Sequence, residues 1–202
     1  VQRPPFFTYE NIMAVQHKNL TDPDIHEPKG VASAAVGKVY VSDGAGSGTW
    51  VYPSGYSHGE IYIDAGVTAQ TLSVASGYAK LNPTGEWTAG VANVLTVSPS
   101  TGEITLTEAG NYLITFWGHF STAAIASGTL YNFKYAIDGT TSGRTLSVAK
   151  FSNGADKLHL SASGLATVTA GQKLSMYVGG DSTSSTTAIT MIEAGLTAVK
   201  LS

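Results

Sequence analysis

The chain contains no cysteine. Disulfides and thiolate metal sites are therefore excluded, and the redox compartment is left open. Charge is scarce as well. Asp, Glu, Lys and Arg make up 12% of the 202 residues, about half the share of an ordinary soluble domain. The formal net charge is -3, so nothing electrostatic speaks for a nucleic-acid partner. No apolar run approaches the length of about 18 residues that a membrane span needs, and no membrane partner is expected. The opening Val1-Gln-Arg-Pro-Pro-Phe-Phe7 lacks the long apolar stretch of a signal peptide. Glycine is abundant instead, at 23 residues, and 43% of the chain is apolar. That mixture suits short strands and many turns rather than helices. Low charge beside so much apolar surface also points to burial against partners.

The stretch from Thr101 to Phe120 organises the rest. A tight turn at Ser98-Pro99-Ser100-Thr101-Gly102 opens a short strand, 103–107. A second turn at Glu108-Ala109-Gly110 leads into a long strand from Asn111. Tyr112, Ile114 and Phe116 point to one side of that strand; Leu113, Thr115, Trp117 and His119 point to the other. Both faces carry bulk, where a strand with one wet face alternates apolar with polar. The strand is therefore expected to be covered on both sides, once by a second sheet and once by more of the same chain or another copy. Further strands are expected near 60–64, 69–73, 94–97, 129–138, 145–150, 157–162, 165–169, 173–179, 187–192 and 196–201. Asp138-Gly139 and Gly179-Gly180-Asp181 supply turns between them. The spacing predicts an all-β antiparallel sandwich or jelly roll. No fixed-period repeat is present, which excludes a propeller or β-helix.

Ahead of it, residues 1–58 read as an arm with a small hairpin and 59–202 as the head domain. Residues 10–18 could form a short helix, and Pro23 and Pro28 keep the following stretch extended. The arm cannot build a core, so it is disordered or laid on another protein. Val39–Val41 and Thr49–Tyr52 read as two strands around the flexible loop Ser42–Gly48. Residues 53–59 read as a linker.

Candidate sites are few. His17 and His26 with Asp22, Asp24 and Glu27 fit no zinc spacing, so a polar arm bonding to a partner is expected and no metal or cofactor. Asp43-Gly-Ala-Gly-Ser-Gly48 has a phosphate loop's glycines without its Lys-Ser/Thr ending or its helix. Serines lack a base and an orienter in a nucleophile elbow. His119 and His159 read as half-buried strand residues satisfied by a hydrogen bond. Glu86, Glu103, Glu108 and Glu193 sit in or beside turns and offer no glycosidase pair. Trp87, Trp117, Tyr131, Phe133 and Tyr135 could stack on sugars, but at strand spacing they read as core or subunit seam. No catalytic constellation is present, and no enzyme is expected.

Two resemblances add to this reading. Gly110-x-Tyr112-x-Ile114-x-Phe116 after a short strand resembles the signature of the tumour necrosis factor and complement globular-head superfamily. Ala166–Val178, with Gln172 where that family usually has Asp, resembles its penultimate hairpin, and Thr190–Ser202 its closing strand. Ile104 stands where Phe is usual. The similarity spans roughly the last two-thirds of the chain, a one-domain size. It implies a jelly roll that forms a homotrimer, with Leu113, Thr115 and Trp117 toward the threefold axis. Asn19–Gly30, followed by Lys38–Trp50, resembles segments near the start of tailed-phage head fibre and capsid decoration proteins. That implies a virion protein on the capsid surface, held to the major capsid protein by Leu20, Asp22, Pro23, Asp24, Ile25, His26, Glu27 and Pro28. The alternative implied is the receptor-binding tip of a tail fibre or spike, with a host-surface glycan at distal loops.

Overall fold

The structure, a computed structural model, describes residues 33–45, 47–72, 77–122, 130–143, 147–150, 157–180 and 187–202. The arm residues Leu20, Asp22, Pro23, Asp24, Ile25, His26, Glu27 and Pro28, the stretch 10–18 where a short helix is expected, and His17 lie outside them. Two units divide the chain, Val1–Tyr52 and Pro53–Ser202. In the first, β1 (Val39–Ser42) and β2 (Gly48–Val51) pair antiparallel. Tyr40 and Trp50 meet across the ladder edge-to-face at 5.4 Å. The loop between them cradles its own acid: Asp43 Oδ1 accepts from Ala45 N at 2.8 Å and Ser47 N at 3.0 Å. Those two bonds hold the Asp43 carboxyl below its ordinary range. Amides spent this way are not presented to a phosphate, and Gly44, at φ 74°, serves the hairpin turn.

The second unit holds β3 (His58–Ile63), β4 (Ala69–Leu72), β5 (Tyr78–Lys80), β6 (Thr88–Asn93), β7 (Thr96–Ser98), β8 (Glu103–Leu106), β9 (Gly110–Thr122), β10 (Leu130–Ile137), β11 (Thr140–Thr141), β12 (Ser147–Lys150), β13 (Lys157–Val168), β14 (Gln172–Gly180) and β15 (Thr187–Lys200). One sheet runs β13-β9-β15-β3-β6, with β4 also on β15. The other runs β11-β10-β14-β8-β7, with β12 on β10 and β5 on β14. Every pairing is antiparallel. From β8 the chain crosses to the other sheet at β9, back for β10 to β12, and again at β13, β14 and β15, so β9 lies between β13 and β15 while β14 lies between β10 and β8. That nesting makes the sandwich a jelly roll.

The core forms where the two inner faces meet. Tyr112, Ile114 and Phe116 are fully buried, as are Leu196 from β15, Ile61 from β3, Leu174 and Met176 from β14 and Ile104 from β8. Phe133 of β10 stacks on Phe116 at 5.7 Å and tilts against Phe120 at 5.1 Å. Tyr131 and Trp87 are also core, and Tyr135 packs at its margin, its hydroxyl donating to Leu165 O. The turn after β10 is the expected Asp138-Gly139, both at positive φ (48° and 78°), a conformation that Asp tolerates and Gly adopts freely.

Several expectations are corrected. Residues 53–59 are not a linker. Gly55 N donates to Lys200 O at 2.7 Å, Lys200 N donates to Ser57 O at 2.9 Å, and Ser57 Oγ donates to Glu108 Oε2 at 2.6 Å. These bonds tie residues 53–57 to the closing strand, and His58 already belongs to β3. The breaks expected at 163–164 and 193–195 are absent. β13 runs through Gly164, and β15 runs through Gly195 with one irregularity between Met191 and Glu193. Long neighbours on β9 supply partners along both strands, which outweighs the weak strand preference of glycine. β5 and β6 were not expected. Tyr-Ala-Lys and Thr-Ala-Gly-Val-Ala-Asn show no period-two pattern; they are strands because β14 and β3 pair with them.

Candidate interaction face

The outer face of β13-β9-β15-β3 can be read row by row from the strand register. One row is Leu165, Leu113, Val199, His58. The next is Ser163, Thr115, Thr197, Glu60. Then come Ser161, Trp117, Gly195, Tyr62, and beyond them His159, His119, Glu193. The predicted residues Leu113, Thr115 and Trp117 thus share one face, opposite Tyr112, Ile114 and Phe116. Leu113 is 36% exposed, Trp117 40% and Leu165 66%. These apolar groups stand in a field of hydroxyls, with Glu60 and Glu193 the carboxylates among the rows.

Trp117 lies flat because of its neighbour. A Cβ at position 195 would collide with the indole Nε1 and Cε2. Glycine there lets the ring settle onto the β15 backbone, so one ring face packs and the other meets solvent. Sequence reasoning did not single out Gly195, since its significance lies in a cross-strand register.

Two expectations for the strand histidines are corrected: His119 is half-buried but its Nε2 is unpaired, and His159 is exposed rather than half-buried. Their rings stack on each other, with centroids 4.1 Å and planes 21° apart. His119 Nε2 is shielded from solvent and has no hydrogen-bond partner. Glu193 lies within β15 rather than at a turn. The other carboxylates have structural work. Glu86 Oε1 accepts from Thr68 N at 2.8 Å and Val67 N at 3.2 Å. Its hydrogen bonds, foremost those with Thr68, hold its carboxyl below the usual range. Glu103 takes Lys80 Nζ at 2.5 Å, Thr101 Oγ1 at 3.0 Å and Lys173 Nζ at 3.5 Å. Burial pushes the Glu103 carboxyl up, but those hydrogen bonds and the two lysine charges outweigh it and leave it lowered. Behind the face, burial and the nearby Glu108 charge push the Tyr112 phenol up to about 12. Its hydroxyl donates to Glu108 O at 3.0 Å.

Among the described residues, no group of three His, Cys, Asp or Glu side chains could hold a metal ion. Of the aromatic groups weighed for sugar stacking, Trp117 alone among the five is broadly exposed; Trp87, Tyr131 and Phe133 are core. The arrangement offers a surface on which Leu113, Trp117 and Leu165 stand exposed.

No protein-family model matches the chain, and no curated protein matches it. Solved structures are similar in fold. The Eiger tumour necrosis factor of S. frugiperda shares 11% identity over 72% of this chain and 94% of its own, with a TM-score of 0.43. The globular domain of zebrafish complement 1qA shares 15% over 73% and 98%, with a TM-score of 0.44. Murine APRIL, in its pH 8.5 crystal form, shares 14% over 71% and 99%, with a TM-score of 0.45.

Proposed function

We propose that this chain is a structural virion protein that decorates a phage capsid as a homotrimer, as a cement protein or short head fibre. The observation that carries the trimer is the outer face of β9. Leu113 and Trp117 stay exposed on a strand whose opposite side chains, Tyr112, Ile114 and Phe116, are fully buried. Apolar groups so placed are stabilised when a second copy covers them. A threefold arrangement closes such contacts into a ring without leaving an open surface. Thr115 lies between them on the same face and belongs to the seam.

The capsid attachment rests on the sequence resemblance of Asn19–Gly30 and Lys38–Trp50 to head fibre and decoration proteins. In this reading the segment from Leu20 to Pro28 contacts the major capsid protein. Three arms joined through one trimer bind at high effective concentration, so a weak contact holds tightly. The reading involves neither catalysis nor a cofactor.

Sedimentation of the full chain at micromolar concentration, with binding to emptied capsids and to host cells, tests it. A trimer mass and capsid binding are expected. Removing residues 1–35 should leave a folded trimer that no longer binds capsids. A monomer mass refutes the seam. Full decoration by the truncated chain refutes the arm, and binding to cells but not capsids would favour a receptor-binding tip.

A further inference from the structure

The hairpin of the first unit carries apolar side chains on both faces. Register sets Val39 opposite Val51 and Val41 opposite Thr49 on one face, and Tyr40 opposite Trp50 on the other. The aromatic face is half-buried. The opposite face is open: Val39 is 46% exposed, Val41 47% and Val51 38%. A lone exposed valine is ordinary, but three set side by side across a ladder make a patch. No charge stands on it. Lys38 lies 5.1 Å over the Tyr52 ring, on the aromatic side by alternation, and Asp43 is held by its own loop.

A two-stranded ribbon is marginal in water and gains from whatever covers such a patch. Among the described residues, β1 and β2 pair only with each other. The chain itself narrows the choice of cover. Only Tyr52, Pro53 and Ser54 separate β2 from Gly55, whose amide is bonded to Lys200 O of the closing strand. Ser54 Oγ donates to Leu201 O, and Tyr56 N donates to Pro53 O. The tie to the closing strand therefore begins directly after the hairpin. Every copy that joins a trimer through β9 brings its hairpin on a short tether, at high effective concentration. An uncharged valine cluster also meets its own copy without burying a charge.

We infer that the face formed by Val39, Val41 and Val51 is a second contact between copies of this chain: the hairpins of a trimer pack through it around their common axis. The count of three rests on the trimer reading, while contact between copies through this face does not. A residue close to such an axis meets its own equivalents, so Val41 or Thr49 of one copy comes next to the same residue of another. The contact covers a hairpin that is marginal by itself, and it adds a hold on the trimer that the heads do not supply.

The chain has no cysteine of its own, so single thiols report on the contact. Full-length Val41→Cys and Thr49→Cys are compared under mild oxidation with Ser100→Cys, an exposed position in the turn before β8. The two hairpin variants should yield covalently linked pairs of chains, in a share that does not fall when the trimer is diluted. Ser100→Cys should stay unlinked. Sedimentation across a dilution series then reads Val41→Asp, whose trimer should dissociate at least about tenfold more readily than the parent's. Linking no greater in the hairpin variants than in Ser100→Cys overturns the contact, as does a Val41→Asp trimer as resistant to dilution as the parent. A trimeric parent whose hairpin variants stay unlinked refutes this face and leaves the β9 seam standing. A monomeric parent refutes the trimer reading; the hairpin contact then stands if both variants link when concentrated and falls if they do not. A Val41→Asp chain that keeps its trimer but loses capsid binding assigns the face to the capsid protein and overturns the proposal.

Discussion

Substituting the two neighbours Phe116 and Trp117 by alanine separates the faces of β9. Phe116 is fully buried and touches Phe133 and its own sheet neighbours. Its removal costs the transfer energy of the ring plus that of the cavity, about 3–5 kcal/mol in total. That is a large part of the roughly 5–15 kcal/mol that holds a domain together. For a unit of this size each kcal/mol moves the melting point by about 2–4 °C, so a fall of roughly 6–20 °C is expected. Trp117 is 40% exposed and packs one ring face on Gly195. Within one chain its removal should cost only about 1 kcal/mol. In the proposed trimer it would sit in the seam, where truncating an aromatic anchor typically costs about 2 kcal/mol or more per contact, roughly 30-fold each. Trp117→Ala should therefore melt near the parent temperature when concentrated and fall to protomer mass on dilution. Melts and sedimentation on both variants decide it. A Trp117→Ala trimer as resistant to dilution as the parent would refute the seam. A Trp117→Ala domain melting below Phe116→Ala would refute the assignment of faces.

Three further outcomes are expected. Gly195→Ala should lift the Trp117 ring off β15 and weaken the trimer while circular dichroism still reports the strands; an undiminished trimer would mean that the flat ring is not needed there. Tyr112, raised to about 12 by burial and the nearby Glu108 charge, should stay un-ionised in an ultraviolet titration until that pH. Its folded value lies above the unfolded one of about 10, so its contribution is full below about pH 10 and lost as the pH rises toward the folded value; Tyr112→Phe should flatten that alkaline fall in melting temperature. Glu103 has a lowered value in the folded chain, so its contribution is present above the ordinary glutamate range and lost as the pH falls through the folded value. Glu103→Gln should lower the melting point at neutral pH and flatten the acid limb, and an unchanged acid limb would show that the two lysines are not its partners in solution.

Much of the architecture was legible because alternation and turn chemistry are local. Period two along Asn111–Phe120 separates Tyr112, Ile114 and Phe116 from Leu113, Thr115 and Trp117 in any strand, wherever it lies in a sheet. Asp138-Gly139 marks a turn because few other residue pairs adopt positive φ so readily. Local pattern could not say which face of β9 is buried. That depended on Phe133 and Met176 arriving from the opposite sheet. It also could not find β5 and β6, whose residues become strands only by pairing with β14 and β3. Nor could it find the tie from residues 53–57 to Lys200 and Glu108, the bed that Gly195 makes for Trp117, or the stacking of His119 on His159. Each of these joins residues far apart in the chain, and the register of one strand against another is set by the summed packing of both sheets. A sequence read along its own length determines which side chains share a face; only the folded sheet decides what that face meets.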